Sequence, residues 1–148
     1  MQNKQSTPTR PLRQATRWAA LCATLSLVAC AGLGTSTPEK QVSQRANERW
    51  HALVAGEYSQ AYDYSTAGFK SVVAVDAYPA RFGNSVKWVG NEVVTVQCPE
   101  PDKCSVNMRI DYKPMMGKED GETYSTHIEE TWLLEDDKWC IFQPIKAD

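Results

Sequence analysis

The 148-residue chain lacks the features that mark several large classes of protein. It has no uncharged apolar run that reaches the roughly 20 residues of a membrane-spanning helix. Beyond position 29 it has no surplus of basic residues, since 12 basic and 18 acidic residues give that part a net charge of −6. This balance argues against nucleic acid as a partner and against a polybasic membrane-surface segment. With only two histidines, His51 and His127, the chain also predicts no metal site, and nothing in it indicates a cofactor.

The beginning of the chain predicts an export signal. Residues 1–29 contain four basic residues and no acidic one, and the 12 residues from Trp18 to Ala29 carry no charge. A basic segment followed by a short apolar segment is typical of a signal peptide and is too short to span a bilayer. The length of the remaining chain allows one domain, which we place at residues 38–148.

The end of that apolar segment resembles the lipobox of bacterial lipoproteins, in the residues Leu27-Val28-Ala29-Cys30. The resemblance implies a signal peptide over residues 1–29, acyl chains on Cys30 and a short tether over residues 30–37. Ala31, in place of an aspartate, resembles the outer-membrane default of Gram-negative lipoproteins. We therefore expect a protein of the cell envelope that acyl chains anchor to the periplasmic face of the outer membrane.

The mature part has the periodicity of helices first and strands after. Thr37-Pro38 is a typical helix start, and Gly56 is a typical stop. Between them lies one apolar stripe: Val42, Ala46, Trp50, Leu53 and Val54. Arg45 lies off this stripe, and we expect it to be exposed. Short helices are predicted at residues 58–62 and 76–82, with a break and an ambiguous stretch between them.

After Gly83 the period changes to two, which predicts an antiparallel sheet of about four strands. The first predicted hairpin has a five-residue loop at residues 99–103, and the last turns at Asp136-Asp137. One register pairs the cysteines and also places apolar residues on one face: Cys98 with Cys104, Val96 with Val106, and Val94 with Met108. In an exported domain this register predicts a structural disulfide, whereas a redox pair or metal site is a poorer alternative because no histidine lies nearby. Cys140 is then predicted to be a buried, inert thiol.

Two segments resemble the NTF2-like superfamily, also called SnoaL-like or cystatin-like cone proteins. Residues 49–62, RWHALVAGEYSQAY, resemble its helical hairpin, and residues 130–139, ETWLLEDDKW, resemble its closing strand hairpin, with Asp137 where glycine is usual. The resemblance implies an α+β fold in which N-terminal helices pack on a curved antiparallel sheet and leave a cone-shaped cavity. The superfamily includes enzymes and binding modules, so the fold does not determine the function.

If such a cavity exists, aromatic residues of the predicted core are its candidate lining: Trp50, Tyr62, Tyr78, Trp88 and Trp132. We predict a non-enzymatic binding or scaffolding domain for a small apolar ligand or a partner protein of the envelope, and we assign no catalytic residue. The alternative is a cavity enzyme of the ketosteroid-isomerase or SnoaL type, an isomerase or lyase, which needs a carboxylate base and hydroxyl donors. Its candidates are Asp63 and Asp76 with Tyr62, Tyr64 and Tyr78. The preferred interpretation is a solvated helix residue for Asp63, a helix cap for Asp76 and amphipathic packing for the tyrosines.

Overall fold

The computed structural model describes residues 36–115 and 121–145. The helices are α1 (Pro38–Ala55), α2 (Tyr58–Tyr62) and α3 (Ala67–Val72), followed by a 3-10 helix, Val75–Phe82. The strands are β1 (Val86–Glu100), β2 (Lys103–Pro114), β3 (Tyr124–Glu135) and β4 (Lys138–Phe142). The predicted signal peptide, Cys30 and most of the tether lie outside the described residues. Within the described part, no helix has both the length and the apolar character to cross a membrane.

The predicted bounds of α1 are confirmed. The Thr37 hydroxyl accepts a hydrogen bond from the Lys40 backbone N–H at 3.4 Å, and Pro38 occupies the first turn, where its missing N–H has no partner to lose. Gly56 ends the helix with a φ of 78°, a left-handed conformation that glycine adopts without steric cost. The stripe residues Val42, Ala46, Trp50 and Leu53 are buried, so this helix packs on the sheet through the predicted face.

The segment between the predicted short helices is itself helical. The Thr66 hydroxyl accepts a hydrogen bond from the Phe69 backbone N–H at 3.3 Å and caps the start of α3. This short helix places Phe69 in the core. The stretch that we predicted as a break and an ambiguous run is therefore partly a capped helix. The next helix starts at Val75 with 3-10 geometry and no side-chain cap, so Asp76 does not cap it.

The four strands form one antiparallel sheet in the order β1-β2-β3-β4, which confirms the predicted α+β fold. The residues of its inner face are buried against the helices: Cys104, Val106, Met108, Ile110, Trp132, Trp139 and Ile141. The outer face of β2 and β3 carries cross-strand polar pairs, such as Asn107 opposite Glu129. One layer of helices on one face of the sheet gives the domain a single core.

The first hairpin differs from the predicted register. Val96 pairs with Val106 as expected, but Val93 and not Val94 pairs with Met108. A bulge between Val93 and Thr95 takes Val94 out of the alternation and leaves it 46% exposed. The predicted five-residue loop is also wrong, because Glu100 pairs with Lys103 and only two residues form the turn.

The two edges of the sheet are protected in different ways. At the β4 edge, Ser65 forms a parallel bridge with Ile141, so the chain after α2 covers the last strand. At the other edge, β1 has three register shifts along its length. Bulges of this kind bend and twist a strand and make it a poor template for pairing with another chain.

The last hairpin turns at Asp136-Asp137, as predicted. The two aspartates have φ values of 47° and 61°, which a two-residue hairpin turn of the favoured hand requires. Aspartate tolerates this left-handed conformation better than most residues other than glycine. The turn therefore forms although Asp137 stands where glycine is usual.

We expect Trp50→Ala and Trp132→Ala each to destabilise the domain by about 3–5 kcal/mol, because each removes a large buried side chain and leaves a void. The thermal midpoint measured by circular dichroism should fall by more than about 10 °C. His51→Ala is the matched control, since His51 neighbours Trp50 in α1 but is exposed, and its midpoint should stay within a few degrees. An unchanged midpoint for Trp50→Ala would contradict the packing of α1 on the sheet.

Candidate functional site

The interior of the domain holds an ion pair between α1 and β3. Arg49 Nη1 donates to Glu130 Oε1 at 2.7 Å, and the two side chains are only 4% and 7% exposed. Trp50 Nε1 donates to the same oxygen at 2.7 Å, and Trp132 Nε1 donates to Glu130 Oε2 at 3.1 Å. We call these four residues the interior cluster. Both carboxylate oxygens of Glu130 are thus hydrogen-bonded, which a buried carboxylate requires.

A chain of polar contacts extends the interior cluster towards the end of the domain. Arg49 Nη2 donates to the Tyr78 hydroxyl at 3.2 Å, and Gln143 Nε2 lies 3.5 Å from the same oxygen. Ser65 Oγ donates to Gln143 Oε1 at 2.9 Å. The contacts link α1, the 3-10 helix, β3, the segment after α2 and the residue after β4, so the polar network ties α1 and the 3-10 helix to the sheet.

The residues predicted to line a cavity pack against one another. Trp50, Tyr78 and Trp132 are buried, while Tyr62 and Trp88 are half-buried. Trp50 meets Trp88 edge-on with ring centroids 5.6 Å apart, and Tyr62 meets Tyr78 in the same way at 5.4 Å. These rings pack against one another and, through Trp50 and Tyr78, against the interior cluster.

The groups of the isomerase-type alternative do not converge. Asp63 and Asp76 are exposed. The Tyr62 hydroxyl donates to the Val73 backbone carbonyl at 2.7 Å, and the Tyr64 hydroxyl donates to Glu48 at 3.1 Å. The buried carboxylate of Glu130 accepts hydrogen bonds from three donors, one of which is the positively charged Arg49. Neither of the proposed carboxylates, Asp63 and Asp76, therefore shares a buried site with the tyrosine hydroxyls.

The structure places the Cys98 and Cys104 sulfurs 2.01 Å apart, at disulfide-bonding distance.

Cys140 is a half-buried free thiol opposite Leu133, and burial, followed by the charge of Glu135, raises the pKa of this thiol above its ordinary value. A thiol with a raised pKa is less nucleophilic at neutral pH. His127 Nδ1 instead contacts Asn107 at 3.0 Å. Across residues 36–115 and 121–145, no three metal-ligating side chains lie close enough to hold a metal ion.

Four aromatic side chains lead from the core to the surface, and we call them the aromatic ladder. Trp50 contacts Trp88, Trp88 contacts Tyr112 and Tyr112 contacts Tyr124, with centroids 5.6, 6.3 and 6.0 Å apart. Exposure rises along the ladder from 4% at Trp50 to 40% at Tyr124. The ladder thus ends in the partly exposed ring of Tyr124, where β1 and β3 begin and β2 ends. Met115, which follows β2, is 62% exposed.

A surface depression of about 240 Å³ lies between α1 and α2, lined by Arg45, Gln60, Asp63 and Tyr64. Arg45 Nε donates to the Trp139 backbone carbonyl at 2.5 Å, and its guanidinium carbon lies 4.7 Å from the centre of the Tyr64 ring. The expectation that Arg45 is exposed is therefore wrong. The side chain is half-buried, because its guanidinium is held between the Tyr64 ring and a backbone carbonyl of β4.

Comparison with known proteins shows the fold. A SEC-C motif containing protein from Psychrobacter arcticus superposes with a TM-score of 0.58 at 12% identity, over 78% of this chain and 66% of that chain. One from Rhodopseudomonas palustris gives 0.51 at 11% identity, over 68% and 73%. Similar structures include an NTF2-like protein of unknown function from Shewanella oneidensis, with a TM-score of 0.48 at 14% identity over 68% and 91%. No protein-family model and no curated protein matches the chain.

Sequence reasoning missed the ion pair, although a signal was present. Glu130 occupies an inward position of β3, two residues from Trp132, where the alternation calls for an apolar side chain. Arg49 precedes Trp50 in the buried part of α1. An acidic and a basic residue that both occupy positions predicted to be buried are candidates for an ion pair. Burying either charge without a partner costs a large desolvation free energy.

We expect Arg49→Met and Glu130→Leu each to cost about 3–5 kcal/mol of unfolding free energy, because each leaves its former partner charged and unpaired inside the domain. The double variant should cost less than the sum of the two, with a coupling of about 1–3 kcal/mol. Urea unfolding of the two single variants and the double variant measures this coupling.

The exposed pair of Arg109 and Glu92, also 2.7 Å apart, is the control for that cycle. Because solvent screens these two charges, the coupling in their cycle should stay below about 1 kcal/mol. Strictly additive losses for Arg49 and Glu130 would show that the two charges do not stabilise each other.

Proposed function

We propose that this protein is a non-enzymatic binding domain that acyl chains on Cys30 anchor in the cell envelope, and that its ligand is a partner protein bound at the outer end of the aromatic ladder. The observation that carries the proposal is that the side chains predicted to line a cavity contact one another in the core. A small apolar ligand needs a concave apolar pocket that buries most of its surface, whereas these side chains pack against one another.

The engaged state of Glu130 supports a binding role over catalysis. In an isomerase or lyase, the interior carboxylate takes a proton from the substrate and is held ready in an accessible pocket. Here the carboxylate accepts hydrogen bonds from Arg49, Trp50 and Trp132. These hydrogen bonds give Glu130 a structural role in joining α1 to β3. We therefore place the binding site on an exposed surface of the domain.

The direction of α1 supports the choice of surface. Asn47 contacts Asn91 at 2.8 Å, and Trp50, further along α1, contacts the earlier residue Trp88. The helix therefore runs antiparallel to β1, from the end of the sheet with the two tight turns towards the end where the aromatic ladder is exposed. Its 18 residues span about 27 Å. A domain tethered through the start of α1 would present the ladder away from the bilayer, towards other envelope proteins.

The ladder has the composition of a protein-binding surface. Tyrosine, tryptophan and methionine are enriched at interfaces because they combine large contact area with few lost rotamers or, for methionine, with adaptability. Tyr124 is the exposed member of the ladder, and Tyr112 and Trp88 support it from behind. Met115, also exposed, follows β2 at the same end of the sheet. An exposed aromatic on a rigid, stacked base is well suited to anchor a partner side chain.

We expect Cys30→Ser to remain an unprocessed precursor or to leave the membrane fraction, because serine offers no thiol for acylation. Cell fractionation and the mass of the peptide that contains residue 30 measure this outcome. Cys22→Ser is the matched control, since Cys22 lies within the predicted signal peptide, and its product should be processed and retained. Retention of Cys30→Ser in the membrane with no acyl mass on residue 30 would overturn the proposed anchoring.

We expect a photo-crosslinking amino acid at position 124 of the full-length protein to form one discrete higher-mass adduct with a second protein in intact cells. The same amino acid at position 142 should form none, because Phe142 is also an exposed aromatic residue but lies on the outer face of β4. Equal adducts at both positions, or none at 124, would show that the ladder does not bind a protein partner.

A further inference from the structure

The surface depression between α1 and α2 carries two opposite charges that do not neutralise each other. Arg45 and Asp63 both line it, yet within the described residues neither forms a salt bridge within 4.0 Å. Arg45 donates through Nε to a backbone carbonyl, and no hydrogen bond to a described residue engages its two terminal nitrogens. Lys70 Nζ donates to the backbone carbonyl of Asp63 at 2.8 Å, and no salt bridge joins the Asp63 carboxylate to a cation of the described residues.

Arg45 is held in position and is not a mobile surface side chain. Its guanidinium lies over the Tyr64 ring at 4.7 Å, and its Nε–H is fixed by the carbonyl of Trp139. Tyr64 is held in turn, because its hydroxyl donates to Glu48 Oε2, while Gln44 donates to Glu48 Oε1 at 2.8 Å. Both Glu48 oxygens thus already accept a hydrogen bond, and the guanidinium of Arg45, which lines the depression, is held in a fixed position.

We propose that this depression binds a small zwitterion of the α-amino carboxylate class, with its carboxylate on Arg45 and its ammonium group on Asp63. A ligand with both charges pairs with the two lining residues at once. A simple anion is repelled by the carboxylate of Asp63, and a simple cation is repelled by the guanidinium of Arg45. The volume of about 240 Å³ is below the usual range for drug-sized ligands and accommodates a molecule with only a few heavy atoms. The Gln60 amide supplies one more polar contact at the rim.

The ligand is either a free amino acid or the free amino-carboxylate end of a diamino acid built into a peptide, since both present the same two charges. The proposal concerns a site separate from the aromatic ladder and requires neither acylation nor a protein partner. Its failure therefore leaves the proposed function untouched, and the reverse also holds.

The test is a titration of the ¹⁵N-labelled full-length protein in detergent micelles, followed by amide chemical shifts. Alanine should cause saturable shifts at Gln60, Asp63 and Tyr64. N-acetylalanine, which lacks the ammonium group, and alaninamide, which lacks the carboxylate, should each bind at least tenfold more weakly. A peptide that carries a free amino-carboxylate on a side chain, compared with alanine, identifies which source of the zwitterion binds more tightly.

Arg45→Gln and Asp63→Asn should each abolish saturation by alanine, while Arg109→Gln, at an exposed arginine on the outer face of the sheet, should not. Asp63 is exposed, so its variant keeps the test valid if Arg45→Gln unfolds the domain. Equal shifts with alanine and its two analogues, or saturation that survives Asp63→Asn, would overturn the proposal.

Discussion

The neutralisation of Glu130 is the requirement on which the interior of this domain depends. An ionised carboxylate inside a protein is stable only with a counter-charge and with hydrogen bonds to its oxygens. Arg49 supplies the charge, and the indoles of Trp50 and Trp132 complete the hydrogen bonds. Because Arg49 and Trp50 are neighbours in α1, satisfying one carboxylate fixes both the rotation of the helix and its position along β3.

This arrangement is better understood as a constraint on geometry than as a source of net stability. The desolvation of two buried charges offsets much of their attraction, and well-packed apolar residues often stabilise a core as much. Apolar residues, however, tolerate several rotations of a helix over a sheet, whereas a hydrogen-bonded ion pair tolerates one. The cluster lies between the helices and the sheet, whereas the outer end of the ladder and the depression lie at the surface, where we propose that recognition occurs.

The sequence predicted those features that local physics determines. Caps at Thr37 and Gly56 set the bounds of α1, and the period of two set the strands. The bulge at Val94 was not predictable, because the alternation of apolar and polar residues does not show which residue of a strand lacks a partner on the neighbouring strand. Neither was the position of Arg45, since a long side chain at the boundary of a helix face takes its partner from a distant strand. In both cases the local pattern gave the wrong prediction because a bulge or a tertiary contact overrides it.

The charges at the two ends of the sheet bear on how an anchored domain would sit. The tight turns beside the start of α1 contain Asp102, Asp136 and Asp137, and the Asp102 carbonyl accepts from the Leu134 backbone N–H at 2.9 Å, which ties the two turns together. Acidic turns have no attraction for an anionic bilayer surface. Exposed apolar atoms near a bilayer, in contrast, would insert into it. If the domain is anchored through the start of α1, as we propose, the acidic end would face the bilayer and the exposed aromatic end would point away from the lipid.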